Sequence, residues 1–177
     1  MNKYILTIIL IAFLCFPQIV KADLFKNPVN IEDFIDLLPE MKTVSCKFEQ
    51  KKYLNNIEKP IISSGNFKFI EKEGVYFETL KPIKTTVSYT NKDYKQINDI
   101  ILAISKKKYS KLNKDFNYYF VKKEATWQFG LKPKEDSPAN NYINFIAIEG
   151  TTNIEIMKLQ FKNGSSTTIC FSEFQTK

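Results

Sequence analysis

Apolar residues recur at every second position through most of this chain, and this alternation constrains the fold more than any other feature of the sequence. In the stretch SSGNFKFIEKEGVYFETLKP the large apolar residues are Phe67, Phe69, Val75 and Phe77, with polar residues between them and a turn signal at Glu73-Gly74. An alternation of period two is typical of strands with one buried face and one solvated face. We therefore expect a mainly antiparallel sheet.

The same alternation returns in short segments along the rest of the chain, and Asn163-Gly164 between two of them is a strong hairpin signal. About nine to eleven short strands in an α+β chain suit a curled sheet in the form of an open half-barrel. The predicted strands are a segment beginning at Thr43, Ile61–Ile70, Val75–Leu80, Thr85–Thr90, Tyr118–Lys122, a segment from Trp127 to Pro133, Tyr142–Ile148, Ile154–Phe161 and Thr167–Phe174.

Two segments have apolar residues at helical spacing instead. The first begins at Asn30, which with Asp33 forms an approximate capping box. Because each helix has one strongly apolar face, both are expected to lie on the sheet. The apolar residues assigned to these faces are Phe34, Ile35 and Leu38 in the first helix and Ile97, Ile100, Ile101 and Ile104 in the second.

The N-terminus has the pattern of a secretory signal peptide. Lys3 precedes the apolar run Tyr4–Phe16, and Val20-Lys21-Ala22 suits a cleavage site, so we expect residues 1–22 to be removed after Ala22. A retained N-terminal anchor is the alternative. Cleavage leaves residues 23–177, which are enough for one domain with a substantial core. It also predicts an oxidising extracytoplasmic compartment.

The chain lacks the residues that most hydrolytic, redox and metal chemistry uses. It contains no histidine, and every basic residue is lysine. No phosphate-binding glycine loop, nucleophile elbow or Cys-x-x-Cys pair is present, so we expect no catalytic residues, no metal site, no cofactor and no nucleic-acid partner. Cys46 and Cys170 could form one disulfide, or they could be two buried thiols.

Periodicity leaves two interpretations of the large apolar strand residues. They could form an ordinary filled core, or they could line a cavity that the helices cover without filling it. Both interpretations apply to Phe67, Phe69, Phe77, Trp127, Phe129, Phe161 and Phe171.

The segment from Phe48 to Pro82 resembles the periplasmic outer-membrane lipoprotein carriers, the LolA-like family. Phe48 and Gln50 match that family's F-x-Q strand start. Two further motifs follow in the family's order, with Phe77 where tryptophan is common, and the segments WQFGLKPK and LQFKNGSSTTICF resemble its later strands. The residues that match those two motifs are Pro60, Ser64, Gly65, Phe67, Phe69, Gly74, Phe77 and Pro82.

The resemblance implies an unclosed antiparallel barrel with a helical lid over a hydrophobic cavity. It implies a monomeric, non-enzymatic carrier that takes acylated cargo from an inner-membrane donor complex to an outer-membrane acceptor. The implied cavity residues are Phe48, Phe67, Phe69, Phe77, Trp127, Phe129, Leu131, Phe161 and Phe171, and the implied lid residues are the seven apolar helix residues given above.

The chain departs from the family at the lid, which the known carriers hold shut with an arginine. This chain has no arginine, and Lys52 stands where relatives often have a basic residue. A lysine lacks the planar fork of a guanidinium. Glycolipid or fatty-acyl export is therefore open beside lipoprotein transport, as are a lipocalin-type binder of a small apolar ligand and an interaction domain with a filled core.

Lysines after the second predicted helix suggest a basic rim at the cavity mouth. With Lys52, they would attract anionic headgroups or a membrane surface. AT-rich coding is an equally good explanation of these lysines, which would then be solvated surface residues without a role in binding. The residues of this predicted rim are Lys52, Lys106, Lys107 and Lys108.

Overall fold

Nine strands form one continuous antiparallel sheet in the computed structural model, in the order β4-β3-β2-β1-β9-β8-β7-β6-β5. The structure describes residues 23–38, 43–70, 73–88, 99–100, 102–103 and 109–176. The predicted antiparallel architecture is therefore confirmed, and the described strands give an open sheet. The strands are β1 Val44–Tyr53, β2 Ile61–Ile70, β3 Gly74–Lys81, β4 Thr85–Ser88, β5 Phe116–Lys123, β6 Thr126–Pro133, β7 Ile143–Gly150, β8 Ile154–Phe161 and β9 Ser166–Thr176.

Every neighbouring pair but one is a hairpin or a short connection along the chain. The exception is β1 with β9, which pair antiparallel from Val44 opposite Thr176 to Tyr53 opposite Ser166. A shift in register between Ser45 and Lys47 marks a β-bulge in this pairing. The pairing joins the half of the sheet built by β1–β4 to the half built by β5–β9.

The face of the sheet that carries Phe48, Phe67 and Phe129 is buried, and we call it the inner face. Its side chains belong to one hydrophobic core that runs through strands of both halves of the sheet. Alternate residues such as Lys47 and Lys68 point to the opposite, outer face. The period-two pattern of the sequence thus becomes the two faces of one sheet.

The prediction of one continuous helix beginning at Asn30 is wrong. The segment forms two separate 3-10 turns, Ile31–Asp33 and Ile35–Leu37, and the side chain of Asn30 makes no capping hydrogen bond. Backbone around Phe34, with φ of −138°, interrupts the helical path between the turns. The apolar spacing nevertheless buries Ile31, Phe34 and Leu38 against the inner face.

Only part of the second predicted helix falls within the described residues. Residues 99, 100, 102 and 103 are helical, and Ile100 and Ala103 are buried in the inner-face core. The predicted lid residues Ile97, Ile101 and Ile104 lie outside the described residues, as does the whole of segment 1–22. A short helix that the pattern did not predict, α1, spans Ser110–Asp115.

The N-terminal segment crosses the edge strand β5 from the outer face to the inner face. Leu24 is buried in a small outer-face cluster with Tyr119 and Ala147. The backbone N–H of Val29 then donates to the carbonyl of Tyr118 at 2.9 Å, which pairs this edge of the sheet at one position. The 3-10 turns follow on the inner face, so this crossing determines where they lie.

Two glycines test how closely the strands and the N-terminal segment pack. A Cβ at Gly65 would lie 1.9 Å from the backbone oxygen of Glu78 in β3, so we expect Gly65→Ala to separate β2 from β3. The free energy of unfolding should fall by at least about 2 kcal/mol, the upper range of overpacking effects. Urea denaturation measures this loss.

Gly130→Ala is the matched control. Its Cβ would lie 2.6 Å from the ring of Phe25, a side chain that can rotate away. We expect a loss below about 1 kcal/mol, since no backbone has to move. Equal losses for the two variants would contradict the close approach of β2 and β3.

Candidate functional site

The inner face is an almost continuous apolar surface built from strand residues of both halves of the sheet. All nine predicted cavity residues lie on it. Eight of them are buried, and Phe161 at the end of β8 is partly buried. Their placement on one face follows from strand alternation, and whether they line a ligand cavity stays a prediction.

One group of aromatic rings unites the four strands β1, β2, β3 and β9. The ring of Phe67 lies 5.0 Å from that of Phe77 and 4.8 Å from that of Phe171, measured between centroids. The rings of Phe48 and Phe77 lie 5.1 Å apart with an edge-to-face orientation. Edge-to-face pairs at these distances are favourable because the positive edge of one ring meets the negative face of the other.

A second aromatic group includes a residue of the 3-10 segment. Phe34 stacks on Phe120 of β5 with centroids 4.7 Å apart, and it lies 5.3 Å from Phe129 of β6. Tyr118 stacks on Phe129 at 5.9 Å. Phe34 therefore covers part of the inner face, and its ring contacts the rings of Phe120 and Phe129.

Aliphatic side chains fill the sheet between the two aromatic groups. Met157, Ile146 and Ile169 have no exposed surface, and Ile148 and Leu131 are buried beside them. These residues come from β6, β7, β8 and β9, so they connect the two groups across the middle of the sheet. The inner face is suited to apolar contact and presents few groups for polar recognition.

The predicted lid residues are described in part. Phe34, Leu38 and Ile100 are buried in the inner-face core, and Ile35 is partly buried against it. The backbone hydrogen bonds within residues 31–38 include those of 3-10 turns, such as Phe34 N–H to the Ile31 carbonyl at 3.3 Å. We call residues 31–38 the cover segment.

The predicted basic rim is also described in part. Lys52 is exposed near the end of β1, opposite Ile61 of β2 and Thr167 of β9. Lys106, Lys107 and Lys108 lie outside the described residues. Lys52 therefore has the accessible position that a rim residue needs.

The disulfide that Cys46 and Cys170 could have formed is absent from the structure. Cys46 is a free thiol, buried on the inner face beside Phe48. Cys170 alternates with the inner-facing Ile169 and Phe171, so its side chain is directed to the outer face. A disulfide needs Cβ atoms about 3.8 Å apart, which side chains on opposite faces of a sheet do not reach.

Burial changes the acidity of three side chains in this core. It raises the pKa of the Cys46 thiol to about 12 and the pKa of the Tyr109 phenol to about 12. Burial is also the main reason for a raised pKa at Tyr118, whose hydroxyl donates to the side-chain oxygen of Asn113 and lies 3.4 Å from the carbonyl oxygen of Tyr109. These groups are neutral at physiological pH, as an apolar interior requires.

Sequence reasoning missed several residues of the inner face. Tyr118 and Phe120 are two positions apart in β5, so the alternation that located the other wall residues could have found them. Tyr109 and Leu112 are buried around α1, where the run of lysines hid the apolar spacing. Both residues are therefore missing from the predicted set.

Two grooves lie between described residues, and the first touches the predicted cavity wall only at Phe67. One, of about 620 Å³, is lined mainly by outer-face polar residues of β1, β2, β3 and β9, including Lys47, Lys68 and Glu78. The other, of about 400 Å³, lies between the N-terminal segment and α1, beside Asn30 and Tyr118. Within the described residues, no group of three His, Cys, Asp or Glu side chains could hold a metal ion.

The helices of the described part of the chain are all too short or too polar to cross a membrane. No protein family model matches the chain, and no curated protein sequence matches it.

Two solved structures are similar to this fold. One is a domain from Vibrio parahaemolyticus that is classed by name as an outer membrane lipoprotein-sorting protein; it is 10% identical, with 82% of this chain and 90% of that chain covered and a TM-score of 0.41. The other is a LolA superfamily protein from Nitrosomonas europaea, 6% identical, with 83% and 91% covered and a TM-score of 0.39.

The raised pKa values predict a loss of stability in alkali. In the unfolded chain the Cys46 thiol and the Tyr109 phenol ionise near 9.0 and 10.0, whereas the folded chain keeps both protons up to about pH 12. The stability that these groups confer is complete below about pH 9 and is lost as the pH rises toward 12.

The free energy of unfolding, measured in urea at about pH 8 and about pH 10.5, should fall less for Cys46→Ala than for the unchanged protein. The variant lacks the thiol that must stay protonated. An identical fall would show that Cys46 is accessible to water in the folded chain.

Proposed function

We propose that this protein is a periplasmic carrier that holds the acyl chains of a lipoprotein or lipid against the inner face and moves them toward the outer membrane. In this proposal residues 1–22 direct export and are removed, and residues 23–177 act as a single monomeric domain without catalytic activity. An inner-membrane complex would supply the cargo, and an outer-membrane acceptor would receive it.

The observation that carries the proposal is an apolar inner face under a cover that is not part of the sheet. The cover segment consists of two 3-10 turns of three residues each. Turns of this kind have few and poorly aligned hydrogen bonds. The cover can therefore leave the inner face while every strand pairing stays intact, which an acyl carrier requires.

The cover also offers a way to keep cargo releasable. An acyl chain of about fourteen methylenes gains on the order of 11 kcal/mol on burial, at about 0.8 kcal/mol for each methylene. Entry of the chain must displace Phe34 and Leu38, which are buried in the same core. The cost of exposing these side chains is subtracted from the gain, so the net affinity is moderate and the cargo can be transferred.

Ring stacking would hold the cover in the absence of an arginine. The stacked pair of Phe34 and Phe120 and the contact of Phe34 with Phe129 anchor the middle of the segment. The pairing of Val29 with Tyr118 anchors its beginning. An aromatic anchor is worth about 0.5 to 1.5 kcal/mol beyond burial, weak enough for a cover that has to open.

A filled-core interaction domain is the second candidate, and one observation favours it. The inner-face residues are buried in mutual contact, with Phe69, Phe129 and Leu131 at no exposure at all. If this packing is permanent, the inner face is a structural core and takes up no lipid. The two candidates differ in a measurable quantity, the mass of what is bound.

Native mass spectrometry of the protein purified from the periplasm of its own organism tests the proposal. A bound mass that equals a lipoprotein, glycolipid or fatty acid would support the carrier and identify its cargo. A bound mass of a small non-acyl compound would favour a lipocalin-type binder. The bare mass of residues 23–177 in every preparation would favour the filled core.

A variant of the cover separates the candidates without knowledge of the natural cargo. We expect Phe34→Ala to take up a fluorescent fatty acid at least about tenfold faster, since a loss of about 1.4 kcal/mol of anchoring changes an opening equilibrium tenfold. Stopped-flow fluorescence of the delipidated protein measures this rate.

Phe145→Ala is the matched control, because Phe145 packs on the outer face beside Phe25. It should leave the uptake rate unchanged. If Phe34→Ala takes up no probe while circular dichroism shows a folded sheet, the inner face is a filled core.

A further inference from the structure

Six large apolar side chains are open to solvent in the half of the sheet built by β1–β4. Their exposed fractions are far above those of the core, and Ile83 is 72% exposed. We call this set the hairpin patch. Its members are Tyr53, Ile57, Ile61, Ile62, Leu80 and Ile83.

The strand register places the hairpin patch at one end of the sheet. Tyr53 ends β1, and Ile61 and Ile62 begin β2, opposite Lys52 and Lys51. On the other side of β2, Ser64 pairs with Lys81 of β3, so Ile83 lies level with Ile62 just beyond the paired residues. The two turns that connect β1 to β2 and β3 to β4 therefore present their apolar residues side by side.

Backbone geometry holds one of these side chains outward. The N–H of Ile57 donates to the Leu54 carbonyl at 3.2 Å, and Asn56 has a φ of 67° in the same turn. Asparagine tolerates this left-handed conformation better than most residues. The turn is thus a defined structure that leaves Ile57 half exposed.

The residues of the hairpin patch do not contribute to the hydrophobic core. Single exposed apolar residues are common, but six of them at one end of a small domain indicate a surface that binds something. Lysines surround it, and acidic residues are fewer: Glu78 lies close to Lys84, Glu49 pairs with Lys51, and Glu58 lies between Ile57 and Lys59 in the turn. The lysines of this end are Lys51, Lys52, Lys59, Lys81 and Lys84.

We propose that the hairpin patch docks on the surface of an anionic phospholipid membrane. Isoleucines at the tips of two turns can enter the boundary between headgroups and acyl chains, while the neighbouring lysines reach back to the phosphates. Each cation near an anionic surface adds to the attraction, and salt weakens it. Exposed Ile57 and Ile83 lie near Lys59, Lys81 and Lys84, so the hairpin patch combines the apolar residues and the cations that a membrane interface needs.

This docking is separate from the inner face, and it holds whether or not the inner face binds lipid. The hairpin patch residues are not members of the inner-face core. A test with cargo-free vesicles therefore leaves the carrier proposal unaffected if it fails. A loss of lipid uptake, conversely, leaves the docking proposal unaffected.

The experiment is sedimentation of the mature protein with vesicles of phosphatidylcholine that contain about 30% phosphatidylglycerol. We expect Ile57→Ser with Ile83→Ser to lower the partition coefficient at least about tenfold, because two isoleucine side chains no longer leave water. Tyr142→Ser is the matched control, since Tyr142 is 67% exposed on the β7 side of the sheet. It should bind as the unchanged protein does.

Charge variants test the second half of the proposal. Lys59→Gln with Lys81→Gln should lower binding to the anionic vesicles at low salt, whereas Lys122→Gln with Lys123→Gln, at the opposite end of the sheet, should not. Both pairs remove two positive charges, so net charge alone cannot explain a difference.

Three outcomes would overturn the proposal. The first is binding that the Ile57 and Ile83 double variant does not change, and the second is an equal loss with Tyr142→Ser. The third is absence of vesicle binding together with a dimeric mass in solution that the double variant converts to a monomer. That result would make the hairpin patch an interface between two copies of this chain.

Discussion

The pairing of β1 with β9 is the interaction on which the rest of the structure depends. It joins the beginning of the sheet to its end, from Val44 opposite Thr176 to Tyr53 opposite Ser166. Without it, the hairpins of β1–β4 and β5–β9 would be two smaller sheets, each with an additional open edge. Phe48 and Phe171 are opposite each other in this pair, so the same contact unites the aromatic side chains of the two halves. Because the partners are far apart in sequence, closing this pair carries a large entropy cost that burial of the inner face has to offset.

The inner face is covered by a segment that lies outside the sheet. Its strand side chains are fixed by the sheet, whereas the cover segment lies on them through Ile31, Phe34 and Leu38 without joining a strand. A protein that stores apolar cargo needs a surface that is dry when empty and available when loaded. Under the carrier proposal, a short cover of 3-10 turns anchored by stacked rings would meet both needs, because it can open without breaking a strand pairing.

The two ends and the two faces of the sheet have different chemistry. On the outer face, Leu24, Phe25 and Tyr119 hold the N-terminal segment before it crosses β5, and Lys132 lies 4.9 Å above the ring of Phe25. At the end where β1 joins β2, by contrast, isoleucines are left in water beside lysines. Interior packing can explain the first arrangement and gives no reason for the second. Under the two proposals made above, this separation would let one surface contact a membrane while the cover segment opens elsewhere on the molecule.

The sequence by itself determined the strands and their faces, because alternation in Phe67, Phe69 and Phe77 is a local property that each strand carries alone. Alternation already directs Cys46 and Cys170 to opposite faces, and the disulfide that was left open between them does not form. The sequence could not determine that the distant strands β1 and β9 pair. It also predicted a continuous helix from Asn30, where the apolar spacing survives only as two 3-10 turns. Tertiary structure decided these points, since the path of residues 31–38 follows the shape of the inner face and the attachment at Val29, which helical periodicity does not encode.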